Sequence, residues 1–522
     1  MSHSASQPED HQASKALAEP EQGIGQESPH WKAGPFDIRL PFVHYRIEWP
    51  DYAQGLFMCV VDLGAIPLMT EALGMPFEVA LAVVMLNGLL YLTHHLLGDP
   101  VVPGWITPAI PLLIVYVQTF PEGEQRVWAL ISFQLLLGIF SITLGATGLA
   151  SKVVRVIPSG LRAGIVLGAG IAAIFSVFKE DGRFHSYPVT ITIAVAIAFY
   201  LMYSRSFAGL RQKAAGWRFI ASLGILPAIF VAIFVAPLVG EAPWPDIEWG
   251  FSSPDFATLW SEYTIFGLGL PPAHMFLTAI PTVLAAYIVV FGDVLQANAV
   301  LKEADHVRTD EAVVYSPSRA HLLFGGRNMI MSIIGPDVAM CGPLWAAMHV
   351  VIVERYKQGK RAMRSVFGGA GSFRWGTNTG LLLLPIISFV EPILPIGLAL
   401  TLIIQGFVSV RVGIMEAKNQ KDLGIAGITA GVLATQGAAW GFAAGIIMVL
   451  VIYGKDMFKD ERDGSIRNFD EIDPNEGFAD AQADFTELAE LNDVDEQGRP
   501  TPHFRRTQDV KHDTSASRED RS

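Results

Sequence analysis

The sequence has little charge and almost no cysteine. Of 522 residues only 17% are Asp, Glu, Lys or Arg, and there are two cysteines, Cys59 and Cys341, both inside apolar stretches. Two such cysteines support neither a disulfide framework nor a thiolate metal site. The net charge of −13 argues against a nucleic-acid partner. The first residues lack a basic start, an apolar core and a small-residue cleavage site, so no signal peptide is expected. Metal-ligand clusters and nucleophile motifs are also missing, which points away from an enzyme.

Apolar sequence is what the chain has in abundance. It is 51% hydrophobic, with a mean hydropathy of +0.37. Many segments exceed the length that crosses a bilayer. The expectation is an all-α polytopic membrane protein of about fourteen segments.

Two stretches break the apolar pattern. One is Gly98–Asp99–Pro100–Val101–Val102–Pro103–Gly104–Trp105–Ile106–Thr107–Pro108, and the other is Gly335–Pro336–Asp337–Val338–Ala339–Met340–Cys341–Gly342–Pro343–Leu344–Trp345. Both run from a glycine and an acid through a short apolar segment to Pro, Gly and Trp. A regular membrane helix has no use for this mixture, whereas an unwound one frees backbone N–H and C=O groups to hold a solute. In chain order they are segments three and ten, the same place in each half of seven. An odd count per half makes the second half inverted relative to the first. Gly104 is then expected near Gly342.

The division follows. Residues 1–34 read as a disordered tail and 35–239 as the first repeat, segments 1–7, opening on an amphipathic stretch. Residues 240–263 form an external loop with five acids and no Lys or Arg. Residues 264–455 are the second repeat, segments 8–14, and 456–522 an acidic cytoplasmic tail. The basic loops 152–162, 205–218, 355–374 and 411–421 all follow even-numbered segments. The positive-inside rule therefore puts both termini in the cytoplasm, and an inner membrane is the expected location.

An ionisable group within a span needs a partner or a wet cavity. Three acids qualify as ion-coupling residues. Asp62 lies in the first span, Asp293 deep in the eighth, and Asp337 opens the tenth. Each has a structural alternative, as a helix cap or as an acceptor for a neighbouring helix. The backbone around Gly104, Trp105, Ile106, Thr107, Met340, Cys341 and Gly342 is the expected solute-binding set. Trp105 and Trp345 could instead anchor the interface, and His94–His95 are expected to face cytoplasmic water. Gly292, beside Asp293, is read as room for a close backbone approach. No cofactor is expected beyond a coupling ion, Na⁺ or H⁺.

The residues Gly55–Leu56–Phe57–Met58, Asn87–Gly88–Leu89–Leu90–Tyr91–Leu92, Pro103–Gly104–Trp105, Gly292–Asp293–Val294, Ile334–Gly335–Pro336–Asp337 and Val410–Arg411–Val412–Gly413–Ile414–Met415–Glu416 resemble the nucleobase–cation symporter family of uracil and xanthine permeases, over about residues 50–455. The resemblance implies the seven-plus-seven inverted-repeat fold shared with sulfate and bicarbonate permeases. That fold has a core domain (segments 1–4 and 8–11) and a gate domain (5–7 and 12–14), often dimerised through the gates. Such permeases carry glutamates in segments eight and ten. Here the nearest acid in the eighth is Asp293, and Gly342 is followed by Pro343. The expected function is therefore ion-coupled secondary transport of a small polar, anionic solute by an elevator-like mechanism. A nucleobase symporter with a remodelled site and an uncoupled anion channel are the alternatives.

Overall fold

The computed structural model describes residues 25–150 and 157–456. Helices dominate. Among the described residues six are long and apolar enough to cross a membrane, and shorter apolar helices accompany them. The first half contains α1 (Trp49–Leu63), α2 (Ala65–Leu73), α3 (Phe77–Leu96), α4 (Ile110–Gln118), α5 (Glu124–Thr147), α6 (Ser159–Phe178) and α7 (Pro188–Tyr203). After them come α8 (Arg205–Lys213), α9 (Ala215–Ser222) and α10 (Leu226–Leu238), then α11 (Phe256–Glu262) inside the acidic loop. The second half contains α12 (Ala273–Val307), α13 (Pro317–Ile334), α14 (Ala346–Lys357), α15 (Val366–Leu382), α16 (Leu384–Val390), α17 (Leu394–Glu416), α18 (Gln420–Gln436) and α19 (Ala438–Tyr453).

Helices of the two halves pack in pairs: α1 on α15, α5 on α13, and α6 on α17 and α18. Small residues permit this where no water drives association. A Cβ on Gly138 would sit 2.8 Å from the Gly325 carbonyl oxygen, so α5 and α13 touch backbone to backbone.

Ahead of α1 an arm crosses the ends of several helices. Strand β1 (Gln26–Glu27) pairs in parallel with β4 (Glu311–Ala312), and β2 (Trp31–Ala33) forms a hairpin with β3 (Phe36–Ile38). Arg39 N–H donates to the Leu96 carbonyl at 2.9 Å, and Asp37 meets Arg319 at 2.6 Å. Part of the tail expected to be disordered over 1–34 is thus paired from Gln26 onward, while residues 1–24 lie outside the described residues. The acidic tail, from residue 457, also lies outside them, as does the basic stretch 152–155.

Several expected loops are helix. The 205–218 stretch forms α8 and the first half of α9. The polar stretch 302–319 is helical up to Val307 and again from Pro317. The largest correction concerns 355–374. Only 358–365 is loop, and Arg374 sits in the middle of α15 with 0% exposure. Charge density along the sequence suggested a surface. The Gly-rich start of α15 instead lets it pack closely on α1 and carry an arginine inside.

Candidate functional site

Both interrupted stretches are unwound. Between α3 and the short 3₁₀ turn Thr107–Ala109, residues 97–106 are non-helical, and so are 335–345 between α13 and α14. The causes are local. Pro100, Pro103, Pro336 and Pro343 remove N–H donors, and Gly98 takes a φ of +90°. Met340 has a φ of +60°, rare for a residue with a side chain. Strain of this kind persists only where the surroundings hold it in place.

The freed backbone groups satisfy one another. Gly342 N–H donates to the Gly104 carbonyl at 2.8 Å, Trp345 N–H to Val102 at 2.7 Å, and Ile106 N–H to Ala339 at 3.3 Å. The two segments thus form a short antiparallel ladder with Gly104 opposite Gly342, as the matched interruptions led one to expect. Helices begin at Thr107 and Ala346. Pro108 does occupy a first-turn position, whereas Pro343 precedes its helix.

Polar side chains from neighbouring spans fix the tenth segment. Asn328 donates to the Cys341 carbonyl at 2.7 Å and accepts from its N–H at 3.0 Å. Gln134 accepts from the Asp337 N–H at 3.1 Å. Arg327, 1% exposed, donates to the Gly342 carbonyl at 3.0 Å and to Asn87 Oδ1 at 2.8 Å. It therefore neither snorkels nor pairs directly with an acid. Asn87 in turn donates to Asp337 Oδ2 at 2.6 Å, while Asp337 Oδ1 accepts the Ala339 N–H at 2.8 Å. Asp337 caps the turn into the unwound stretch.

Asp62 has a different partner. Its Oδ2 lies 3.1 Å from Nη1 of Arg374. The same guanidinium donates to the Pro103 carbonyl and stacks 3.7 Å over the Tyr91 ring. Asp62, Gly104, Trp105, Thr107 and Trp345, with Val61, Leu344 and Thr401 and Gln405 of α17, line a cavity of about 30 Å³. Trp105 is 7% exposed, so it is a wall and not an interfacial anchor.

The expected site residues therefore separate. Gly104, Trp105 and Thr107 line the cavity with Asp62. Ile106, Met340, Cys341 and Gly342 are buried in or behind the ladder and do not line it. Asp293, on α12, has no hydrogen-bond or ion-pair partner among the described residues and lies away from the cavity lining. A Cβ on Gly292 would meet nothing within 4 Å, so the close backbone approach expected there does not occur. His94 and His95 are 0% and 1% exposed and face the protein, not water. The sequence reading missed Arg374, Asn87, Gln134, Asn328 and Gln405. The amides were findable as polar residues inside apolar spans. Arg374 was hidden by the basic loop before it.

No family model matches the chain. No curated protein matches it either. Among solved structures it is similar to the overall structure of SLC26A9, at 14% identity and a TM-score of 0.51, covering 78% of this chain and 66% of that one. This chain thus spans just under two thirds of that protein's length. It is also similar to the transmembrane domain of a cyanobacterium bicarbonate transporter, BicA, at 15% identity and a TM-score of 0.42, covering 80% of this chain and 97% of that one. The likeness to SLC26A9 shows the fold alone. It bears out the sulfate- and bicarbonate-permease-like half of the resemblance and does not single out the nucleobase–cation symporters: the chain is a mostly helical, multi-pass membrane protein of the SLC26A9 type of fold.

Proposed function

We propose that the chain is an ion-coupled secondary transporter that moves a small polar, anionic solute across the inner membrane. The observation that carries this is the cavity between the paired unwound segments and α17, with Arg374 held behind Asp62. The start of α14 adds N–H groups and the positive end of a helix dipole beside it. The Asp62 carboxylate on the wall is offset by Arg374 paired behind it, and Thr107 with the first turn of α14 supplies the donors for an anion.

At about 30 Å³ the cavity is small. A solute enters only if α17 and the ladder separate. That fits an elevator-like displacement of a core (segments 1–4 and 8–11) past a gate (5–7 and 12–14), in a scheme of fourteen segments and two inverted repeats. Both termini would be cytoplasmic and residues 240–263 external, with homodimerisation through the gates. Among the three acids, Asp62 is taken by Arg374 and Asp337 by Asn87, which leaves Asp293 as the carboxylate for Na⁺ or H⁺. Asp293→Asn should abolish concentrative uptake while leaving folding intact. Accumulation with unchanged ion dependence would pass the role to Asp62 or Asp337.

One observation favours a second reading. Trp105 and Trp345 both line the cavity, and two indoles suit a planar heterocycle, as in a nucleobase symporter. A thermal-shift screen of purified protein against sulfate, bicarbonate, small carboxylates and nucleobases separates the two. Stabilisation by anions alone supports the first reading, and by nucleobases alone the second. An uncoupled channel would show anion flux that ignores ion gradients.

A further inference from the structure

A second polar cluster lies behind the ladder. At the end of α3, His94 Nδ1 is 2.7 Å from Asp99 Oδ2, and its Nε2 is 3.2 Å from Arg327 Nη1. A guanidinium can only donate. Nε2 therefore carries the lone pair, and Nδ1 carries the hydrogen that Asp99 accepts. Arg327, positioned in this way, holds the Gly342 carbonyl and Asn87. On the other side of the ladder, His349 Nδ1 accepts the Val102 N–H at 3.4 Å. Each unwound segment is thus tied, through Arg327 or directly, to an imidazole nitrogen that must keep its lone pair. His95 sits next to His94 with both ring nitrogens buried and, among the described residues, no side-chain hydrogen-bond partner.

We propose that the His94–Asp99 pair is a proton-binding site, additional to the carboxylate of Asp293, whose occupation releases the unwound tenth segment, which makes H⁺ a coupling ion. The inference rests on the transport reading above. The proton binds the Nε2 lone pair. Arg327 then loses its acceptor and faces a second cation, so its hold on Gly342 weakens. Besides Asp99 and Arg327, the charged or titratable groups facing His94 are Arg374 on α15 and His95 on α3. His349 on α14 lies within electrostatic range of His95. Asp99 faces Arg319 on α13, with Tyr315 in the loop before that helix. Three arginines and three histidines around one acid leave a proton here balanced against fixed positive charge, so its binding is felt by the arginine that grips the ladder.

Hydrogen–deuterium exchange on the full-length purified chain tests this without a known solute. After correction for intrinsic rates, amides 335–345 should exchange faster as pH falls from about 8 to about 5, by about tenfold per unit below the transition for one linked proton. His94→Gln keeps a neutral polar group and should abolish the acceleration while melting like wild type at about pH 8. Asp99→Asn, a second variant in case the first does not fold, should move the acceleration to lower pH. Corrected exchange that is flat in wild type, or an unchanged transition in a folded variant, overturns the proposal. Flux in proteoliposomes separates the two readings. Anion flux that follows the pH gradient and loses that dependence in His94→Gln supports the proton site. Anion flux indifferent to pH overturns the site and leaves transport standing. A chain with the exchange transition but no flux of any anion overturns the transport reading, and with it the coupling role.

Discussion

Gly342→Ala puts one methyl group into the contact on which the site depends. A Cβ there would lie 2.6 Å from the Trp105 carbonyl oxygen, 2.7 Å from its carbon and 3.1 Å from the Ile106 nitrogen. All three are backbone atoms. The first two approaches are about 1 Å inside ordinary van der Waals contact, so the segments must separate. Separation breaks the 2.8 Å bond from Gly342 to Gly104 and loosens the 2.7 Å bond from Trp345 to Val102. Each is worth about 1 kcal/mol net, and more where a buried donor is left unpaired. The expected loss is therefore about 2–5 kcal/mol, read as a lower melting temperature in detergent and as lost uptake. Gly292→Ala is the control. It adds the same atom in open space within a helix and should stabilise by roughly 0.5–1 kcal/mol. If Gly342→Ala melts and transports like Gly292→Ala, the two segments do not touch as described.

Asp62→Asn should destabilise by about 3–5 kcal/mol, because it strands the buried Arg374 guanidinium. Adding Arg374→Met should restore most of that loss in thermal melting; a single variant as stable as wild type would show that the pair is not buried. The arm ahead of α1 should detach in acid. Burial raises the Asp37 carboxyl, but Lys32, Arg319 and His30 outweigh it and hold it below its usual 3.8. The contribution of a depressed acid is complete above the unfolded value and lost as pH falls through the folded one. Protease cleavage within residues 25–48 should therefore begin only below about pH 4. Cleavage that starts near pH 6, or never starts, contradicts this.

The broken segments were legible because proline, glycine and an acid in an apolar run have few other uses. Their mutual pairing followed from their equal place in each half. Arg374 was not legible, since a lysine- and arginine-rich loop runs almost into the helix that buries it. The histidines were misjudged for a related reason. They stand at a helix end, where water is the usual neighbour, and only the fold shows Asp99 and Arg327 bonded to His94 and His95 buried beside it. Asp293 was legible as an acid at depth, but not its separation from the cavity, because sequence depth says nothing about the direction a helix faces.

The central claim is that the cavity bounded by Asp62, Gly104, Trp105, Thr107, Trp345 and α17 holds a transported anion. Uptake of labelled sulfate, bicarbonate and small carboxylates into proteoliposomes tests it, with wild type, Thr107→Val and Gln405→Leu measured side by side. The account predicts saturable, gradient-driven uptake of at least one anion by wild type, with a raised KM in both folded variants. Saturable uptake of a nucleobase with no anion flux, or anion uptake untouched by either substitution, would contradict it.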